Sequence, residues 1–585
     1  MLPEEAEVLD ANVLVIGGGF AGVWAALRAA EITDKVVLLD KAHVSRSGAS
    51  TISGGITNCP FEGDDLDEWA EEFIVRGEYL CDQDWTMQLL TSQMERIKDF
   101  ERWNVPIVRE PDGSIRRVAS RGMVVVRGMQ YAPKKAMEIL RREAIARGVR
   151  IVDRICVTEL LTGDGAYPTR GGVVGAIGFH TRTGRFLVLR AKRTVVATGG
   201  MGVKGFLKVD NDTGDGVAMG FRAGARLVDM EYSAGGTFSL LMKRFFLGSY
   251  NVAVAHGAKL LNASGERFMA KHDPVRMERS ELYFVVAAFA KEIRDGKGPI
   301  YLDVTGCGPE YWETMSKVPS AAFLGSDRLP NPRLNPIPIE PLIGLGDQAR
   351  SGLHIDLRCR TSVPGLFAAG ACAKNDATGS HSSAGIPTAF AYNSGWWAGD
   401  TAARESLSDG MPDLPSAQIA GLQERTYAPL ARSGAAAADH LHLRLSTGEG
   451  SVADRIILNP GRLERLIGHA RAIAEEAAHA RAADLHDLVK LNEARNLAQC
   501  AELVYAAALD RTESRDRHYR EDYPYQDDDN WFCWHGVRRT DGGLAFDRTP
   551  IPIDKFQLKP PKVERRLSPL AALMRDEFDP SYFHA

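Results

Sequence analysis

Three glycines, Gly17, Gly19 and Gly22, stand in V-L-V-I-G-G-G-F-A-G with the spacing G-x-G-x-x-G. The chemistry open to such a triad is phosphate recognition by bare backbone. The first glycine permits a tight turn, the second admits a pyrophosphate, and the third lets a helix pack close to a strand. The phosphates would meet the free N–H groups and positive dipole end of the helix that follows. About 18 residues beyond Gly22, the apolar run Val36 to Leu39 ends on Asp40. A carboxylate there would hold the hydroxyls of an adenosine ribose. Strand, triad, helix, strand and acid in register point to a bound dinucleotide.

Further stretches suit the same ligand. Residues 41–60, K-A-H-V-S-R-S-G-A-S-T-I-S-G-G-I-T-N-C-P, are too rich in Gly and Ser for a regular element. They supply Lys41, Ser47, Gly48 and Gly54, small or polar groups fit to pack on a flat cofactor. The strand K-R-T-V-V-A-T-G-G at 192–200 brings Ala197, Thr198 and Gly199 to the dinucleotide a second time. T-G-D-G-V-A-M-G-F-R-A-G-A, 213–225, is a glycine-spaced helix carrying Asp215. V-P-G-L-F-A-A-G at 363–370 is another strand running into Gly370, and the helix after it opens with Ser, Gly and Pro around Ser383, as an N-terminus facing a ligand would.

The elements that must position these residues follow from periodicity. Residues 64–103 read as helical, with Trp69, Phe73, Met87 and Leu90 as core, and 131–148 as an amphipathic helix closing at Gly148. Ile151 to Leu161 and Val173 to Phe179 read as strands, and Thr183-Gly184 turns into a hairpin strand, Phe186 to Leu189. The α/β rhythm lapses over 231–340, whose end is the proline run L-P-N-P-R-L-N-P-I-P-I-E-P, expected to be an exit hinge or linker. Between about 415 and 510, Leu497, Ala501, Val504 and Ala508 keep three-four spacing, the mark of a helical bundle. The fold class is therefore α/β: a Rossmann-like domain (1–230 and 341–410), an inserted α+β domain (231–340), a helical domain (411–510) and a tail (511–585) without clear periodicity.

Composition excludes other classes. The 585 residues carry a net charge of −5, too acidic a balance for nucleic acid. Apolar runs fall short of the ~20 residues a transmembrane helix needs. The acidic start M-L-P-E-E-A-E has no basic n-region, so a cytoplasmic protein is expected. The eight cysteines include no C-x-x-C pair, so no iron–sulfur centre or attached haem is expected within the chain.

Taken together, V-I-G-G-G-F-A-G, A-T-G-G, T-G-D-G-V-A-M-G-F-R-A-G-A, L-L-N-A-S-G-E-R-F-M, V-P-G-L-F-A-A-G and E-S-R-D-R-H-Y-R-E-D-Y-P-Y-Q-D-D-D-N-W resemble the flavoprotein subunits of the succinate dehydrogenase and fumarate reductase superfamily. The resemblance spans residues 13 to 531 and implies FAD, a capping domain over the flavin and a C-terminal helical domain. The departures carry equal weight. The histidine that links covalently to flavin in succinate and fumarate enzymes is matched by Gly48, which implies non-covalent FAD. The capping arginine falls near Val254, the H-x-T-x-G-G motif is D-Q-A-R-S-G at 347–352, and a second arginine is lost near Ser383. A glutamate common in the family is replaced by Ala371. A dicarboxylate needs bidentate cations, so succinate, fumarate and aspartate are rejected as substrates on this reading.

The active-site pattern is more similar to the alpha subunit of adenylylsulfate reductase. That resemblance implies roles for Asn58 in S-G-G-I-T-N, Arg244 in R-F-F-L-G-S-Y and His381 in G-S-H-S-S-A-G. Arg244 lies among Leu240, Leu241, Phe245, Phe246 and Leu247, so a cation there could hold an anion over the flavin. His381 sits in a Ser/Gly loop as an acid/base or anion ligand, and His256 competes with it from beside the lost capping arginine. Arg515 and Arg520 read equally as structural ion-pair partners. The activity implied is oxidoreduction of a small anionic substrate, such as the joining of sulfite to AMP or its reverse. A dehydrogenase or reductase of an organic C–C or C–N bond, or an electron-transfer subunit without a substrate of its own, are the alternatives. The family resemblance also implies a small ferredoxin-like iron–sulfur subunit as partner in a heterodimer or higher oligomer. The tail, through its apolar residues Phe546, Ile551, Ile553, Phe556 and Leu558, or the helical domain is the candidate dock for it.

Overall fold

The computed structural model describes residues 6–120, 123–202, 212–240, 245–246, 250–316, 330–345, 350–381, 385–435, 437–448, 455–561 and 566–579. The chain opens with β1 (Glu7–Ile16), α1 (Phe20–Ala30) and β2 (Val36–Asp40). β1 and β2 pair in parallel, Val13 opposite Val36 through Ile16 opposite Leu39. The C-terminal ends of two adjacent strands therefore lie at one sheet edge, with the triad and Asp40 at their tips. All five residues of β2 are buried, as a parallel strand covered on both faces requires.

The expected helix over 64–103 is two helices, α2 (Leu66–Arg76) and α3 (Gln83–Arg102). The break has a local cause: Glu78 and Tyr79 take left-handed φ of 55° and 59°, and the Asp82 carboxylate caps the second helix by accepting from Asp84 N–H. Trp69, Phe73 and Leu90 are buried core, and Met87 packs on them. α4 (Pro133–Ala146) follows as expected, closing at Gly148 with φ 80°.

The strand expected over 151–161 is also two: β3 (Arg150–Asp153), parallel to β2, and β4 (Ile155–Thr162), with Arg154 at φ 65° between them. β4 pairs with β5 (Val173–His180), and β5 with β6 (Phe186–Val196). β6 unites the hairpin strand and the later buried strand in one eleven-residue element. It returns beside β1, Val15 opposite Val195, and brings the residues after Val196 to the glycine turn. The sheet order is β3-β2-β1-β6-β5-β4. α5 (Asp215–Ala223) and the two-residue β7 (Leu227–Val228) precede the insertion.

The inserted domain has its own core around Phe238, Phe284 and Phe289. Its elements include β8 (Ala234–Leu240), β9 (Lys259–Leu261), α6 (Leu282–Arg294), β10 (Ile300–Asp303) and β11 (Ile337–Leu345). β11 corrects the linker expectation. The end of the proline run is a strand paired on one side with β8 and on the other with β10, so the domain extends to Leu345. Pro338 and Pro341 within it did not prevent the pairing of their strand.

The main domain resumes with β12 (Gly352–Leu353), β13 (Leu366–Ala368) beside β6, and α7 (Ile386–Ser406). The helical domain contains α8 (Ser416–Ala431), α9 (Ala438–Thr447), α10 (Pro460–His479) and α11 (Leu485–Asp510). Leu497, Ala501, Val504 and Ala508 are buried, as their spacing predicts. The tail is not shapeless. β14 (Cys533–Thr540) and β15 (Gly543–Pro550) form a hairpin that joins β7 and β12 in a four-stranded sheet. Ile551 and Phe556 are buried in a cluster with Leu80 and Tyr232, Ile553 and Phe546 pack partly, and Leu558 rests on the α2–α3 cluster. These side chains are spent on the chain itself, which removes the reason for casting them as a dock.

Candidate active site and cofactor cleft

Where β1, β2 and β6 end, the fold leaves a long cleft with about 1130 Å³ of empty space. Gly17, Gly19, Asp40, Lys41, Ser47, Gly48, Ala197, Thr198, Gly199, Asp215 and Gly370 all line it. Gly22 does not line it; its task is close packing. A Cβ on Gly22 would stand 1.7 Å from the Gly17 carbonyl oxygen, and one on Gly17, at φ 114°, would stand 2.2 Å from that of Ala197. Gly48, with φ 80°, has nothing within 4 Å of a Cβ. Gly54 is absent from the lining, where its neighbour Ser53 appears. The triad's open backbone, the Asp40 carboxylate and the mixed polar and apolar wall fit a dinucleotide such as FAD.

Asp40 lines the cleft at the tip of β2. Its carboxylate accepts from Gly18 N–H (2.8 Å), Ala42 N–H (2.7 Å) and Ser47 Oγ–H (2.9 Å), so it also braces the glycine loop. Lys41 Nζ reaches Thr213 Oγ1, Asp215 Oδ2 (2.9 Å) and Glu493 Oε1 (2.7 Å). Burial opposes its charge, but the two carboxylates hold its pKa above the ordinary ammonium value. Asp212, buried opposite Gly199, is pushed up to about 6 by desolvation.

A second constellation sits where the inserted domain, the loop before α7 and the segment after the helical bundle meet. His381 precedes α7, whose Pro387 and Thr388 line the cleft. Its Nδ1 lies 3.8 Å from Glu281 Oε1, at the start of α6 in the inserted domain. The same oxygen accepts from Arg517 Nη2 at 2.7 Å, from the segment after the helical bundle. Arg350 and Asp516 belong to the same buried group, with Asp516 Oδ2 3.9 Å from Arg517 Nε. Burial works against the Glu281 carboxylate, but Arg517, His381 and Arg350 hold it down at about 2. Burial and the surrounding arginines, against the pull of Glu281, drop His381 to about 3, so its imidazole is neutral. His381 is 4% exposed and its Nε2 has no hydrogen-bond partner. Asp516 is pushed up to about 7, chiefly by burial. Burial and the neighbouring Arg517 push Arg350 well below its ordinary value. A negatively charged ligand arriving here would offset the cost of charge on Arg350 and His381, while keeping Asp516 protonated.

Of the other candidates, Arg244 and Ser383 lie outside the described residues. Asn58 is buried, donates from Nδ2 to Ser120 Oγ (2.6 Å), and abuts Gly385 at the start of α7; its Oδ1 has no partner. It braces the helix that borders the cleft. His256 packs against Tyr311 inside the inserted domain, the rings tilted by 52° with centroids 5.8 Å apart, and this described contact is not with His381. Arg515 binds Glu513 and Asp528, and Arg520 binds Asp522 and the carbonyls of Ala508, Leu509 and Arg511. Both are structural. The sequence reading missed Glu281, Arg350, Asp516 and Arg517. Arg350 was visible inside D-Q-A-R-S-G, a segment read only for what it lacks, and Arg517 sits two residues from an arginine that was weighed.

A family model described as an FAD binding domain matches residues 12–388, and one described as the fumarate reductase flavoprotein C-terminus matches residues 457–565. The chain belongs to the flavoprotein family of succinate dehydrogenase and fumarate reductase. It is an FAD-dependent oxidoreductase. A fumarate reductase flavoprotein subunit of Mycobacterium tuberculosis is 29% identical over 583 residues, covering 93% of this chain and 98% of that one. Among solved structures, Escherichia coli quinol fumarate reductase aligns with a TM-score of 0.84 at 23% identity, over 95% of this flavoprotein and 99% of that chain. Adenylylsulfate reductase of Archaeoglobus fulgidus aligns at 0.75 and 22% identity, over 94% and 99%. At those identities the two structures establish the shared fold. No helix among the described residues is long and apolar enough to cross a membrane. The described cysteines are free and buried, and no group of metal-ligating side chains occurs among the described residues.

Proposed function

We propose that this flavoprotein oxidises or reduces a small anionic substrate held at the junction of Arg350, Arg517 and His381. The observation that carries the reading is that junction: two buried guanidiniums and a neutral, partnerless imidazole nitrogen, set just before the helix that borders the cofactor cleft. FAD bound in the cleft supplies the two-electron acceptor or donor. Arg517 and Arg350 bind and orient the anion, and Glu281 fixes Arg517 at 2.7 Å. The inserted domain covers the site from the α6 side and limits water there. His381 Nε2 takes up or returns the proton that accompanies electron transfer, its basicity rising once an anion is beside it.

Two chemistries share this site. The adenylylsulfate-reductase-like reaction joins sulfite to AMP with release of two electrons, or runs in reverse, and is supported by the R-S-G-A segment that places Gly48 at the cleft. Reduction or dehydrogenation of an organic carboxylate is supported by the fumarate reductase relative. The sequence argument against carboxylates rested on cations missing from three positions. Arg350 and Arg517 provide cations from other positions, so charge does not exclude them. An external carrier completes the cycle. The described cysteines show no cluster-binding group, and a small ferredoxin-like iron–sulfur subunit fits that need.

The test is spectral. Sulfite added to the oxidised protein bleaches the visible flavin bands, with turnover requiring AMP, if the first chemistry holds. An organic-acid panel reduces or reoxidises the flavin if the second does. Arg517→Met lowers turnover at least a hundredfold with either substrate. A flavin that answers to neither set refutes the proposal and leaves an electron-transfer subunit without its own substrate.

A further inference from the structure

β4 has a second face that the oxidoreduction does not use. Ile155 and Val157 line the cofactor cleft, and strict alternation would send residue 159 the same way. It does not go there. The register with β5 runs from Val157 opposite Gly178 directly to Glu159 opposite Ile177, leaving Thr158 as the extra residue of a bulge. The bulge turns Thr158 and Glu159 to the far side of the strand, where they line a separate cavity against the helical domain.

That cavity, part of it open to solvent, spans about 550 Å³ and has three arginines in its wall, Arg425, Arg432 and Arg495. Glu159 is buried at its base and accepts from Arg425 Nη2 at 3.0 Å, Arg495 Nη2 at 3.1 Å and, from behind, Arg222 Nε at 2.8 Å. Three guanidiniums thus share one carboxylate. Arg222 also spends donors on Asn496 and Gln499, and Arg432 on the Ala480 carbonyl. Burial opposes charge on Glu159, yet Arg222, Arg495 and Arg425 hold its pKa below the ordinary value. Burial, with the same crowding behind it, lowers Arg495 to about 10. Cations gathered in a partly desolvated space without matching anions are costly, and an anion is the remedy. Two groups are poised for one: Thr158 Oγ1 and Arg495 Nε are buried and have no hydrogen-bond partner. Thr158 is 2% exposed, so water does not satisfy its hydroxyl from the bulk.

We propose that this cavity is a binding site for a dianionic oxyanion of the phosphate type, held by Arg425, Arg432, Arg495 and the Thr158 hydroxyl. Guanidinium forks match such an ion bidentately. The ion is either free or the phosphate end of a phosphate monoester.

The test uses the full chain loaded with FAD, titrated calorimetrically with inorganic phosphate against sodium chloride at matched ionic strength. One saturable phosphate per chain is expected. Arg425→Met/Arg432→Met, at side chains that reach solvent, raises the dissociation constant at least tenfold while the flavin spectrum stays unchanged. Thr158→Val raises it about threefold. Arg350→Met leaves it unchanged, which separates this site from the domain junction. A parallel titration with glycerol 3-phosphate distinguishes the sources: tighter binding than phosphate marks an ester, and no binding marks the free ion. Heat no different from chloride, or wild-type affinity in the double variant, overturns the proposal.

Discussion

Glu281→Gln tests the junction through its electrostatics. The carboxylate makes a 2.7 Å charge-assisted hydrogen bond to Arg517, and their side chains are 19% and 6% exposed. Removing one partner of a buried pair costs roughly 3–5 kcal/mol, because the other charge is left without compensation. The pair keeps some contact with solvent on the Glu281 side, which places the loss at the lower end, near ~3 kcal/mol. Linkage gives an independent figure. A carboxyl held at about 2 instead of 4.5 contributes at most about 3 kcal/mol above pH 4.5. The sign follows from the depressed pKa: the contribution is complete above pH 4.5 and is lost as pH falls from 4.5 towards 2. Urea denaturation followed by release of flavin fluorescence reads the junction. The wild type and the variant should differ by ~3 kcal/mol at pH 7, by the same amount at pH 5.5, and by less at pH 4. A difference below about 1 kcal/mol at pH 7, or one that grows on acidification, would refute the reasoning.

Further outcomes follow from single contacts. Gly22→Ala purifies without flavin, because its Cβ would overlap the Gly17 carbonyl at 1.7 Å, and absorbance at the visible flavin bands checks this. Acid precipitation of the wild type gives a colourless pellet and a yellow supernatant; colour in the pellet contradicts non-covalent FAD. Asp516→Asn gains stability relative to wild type as pH rises from 4 to 7. Its carboxyl is held near 7 by burial, so the folded wild type loses up to about 4 kcal/mol over that interval. Denaturation midpoints at pH 4.5 and 7.5 measure the change, and a constant difference refutes it.

The cofactor cleft was legible because its cause is local. Gly17, Gly22 and Asp40 act within thirty residues of one another through turn geometry and parallel pairing, and spacing alone encodes both. The helical bundle was legible for the same reason, since Leu497 to Ala508 repeat at the helical period. The places where the reading slipped are set by long-range partners. The hairpin at 533–550 has weak periodicity because its register is settled by β7, some three hundred residues earlier. The proline-rich strand pairs because β8 and β10 hold it on both sides. The break at Glu78 and Tyr79 depends on two left-handed residues that no composition rule picks out.

The junction was hidden for a deeper reason. Its members come from residues 281, 350, 381 and 516–517, segments of three domains whose proximity no spacing reveals. Reading motif by motif finds a cation only where the motif expects one, so three substituted positions looked like the loss of anion recognition. Charge has no such address. A guanidinium stabilises an anion by where it stands in space, and Arg517, reaching back from beyond the helical bundle to Glu281, stands where the inserted domain meets the loop before α7. Glu281 then has a double task. It offsets part of the positive charge gathered there, and it fixes Arg517 so that, under the proposed function, an incoming anion would meet a preset donor. The neutral His381 fits the same logic. Among arginines, an imidazolium would add to the repulsion, so the ring stays uncharged; under the proposed function an anionic substrate would lower that cost and bring the proton with it.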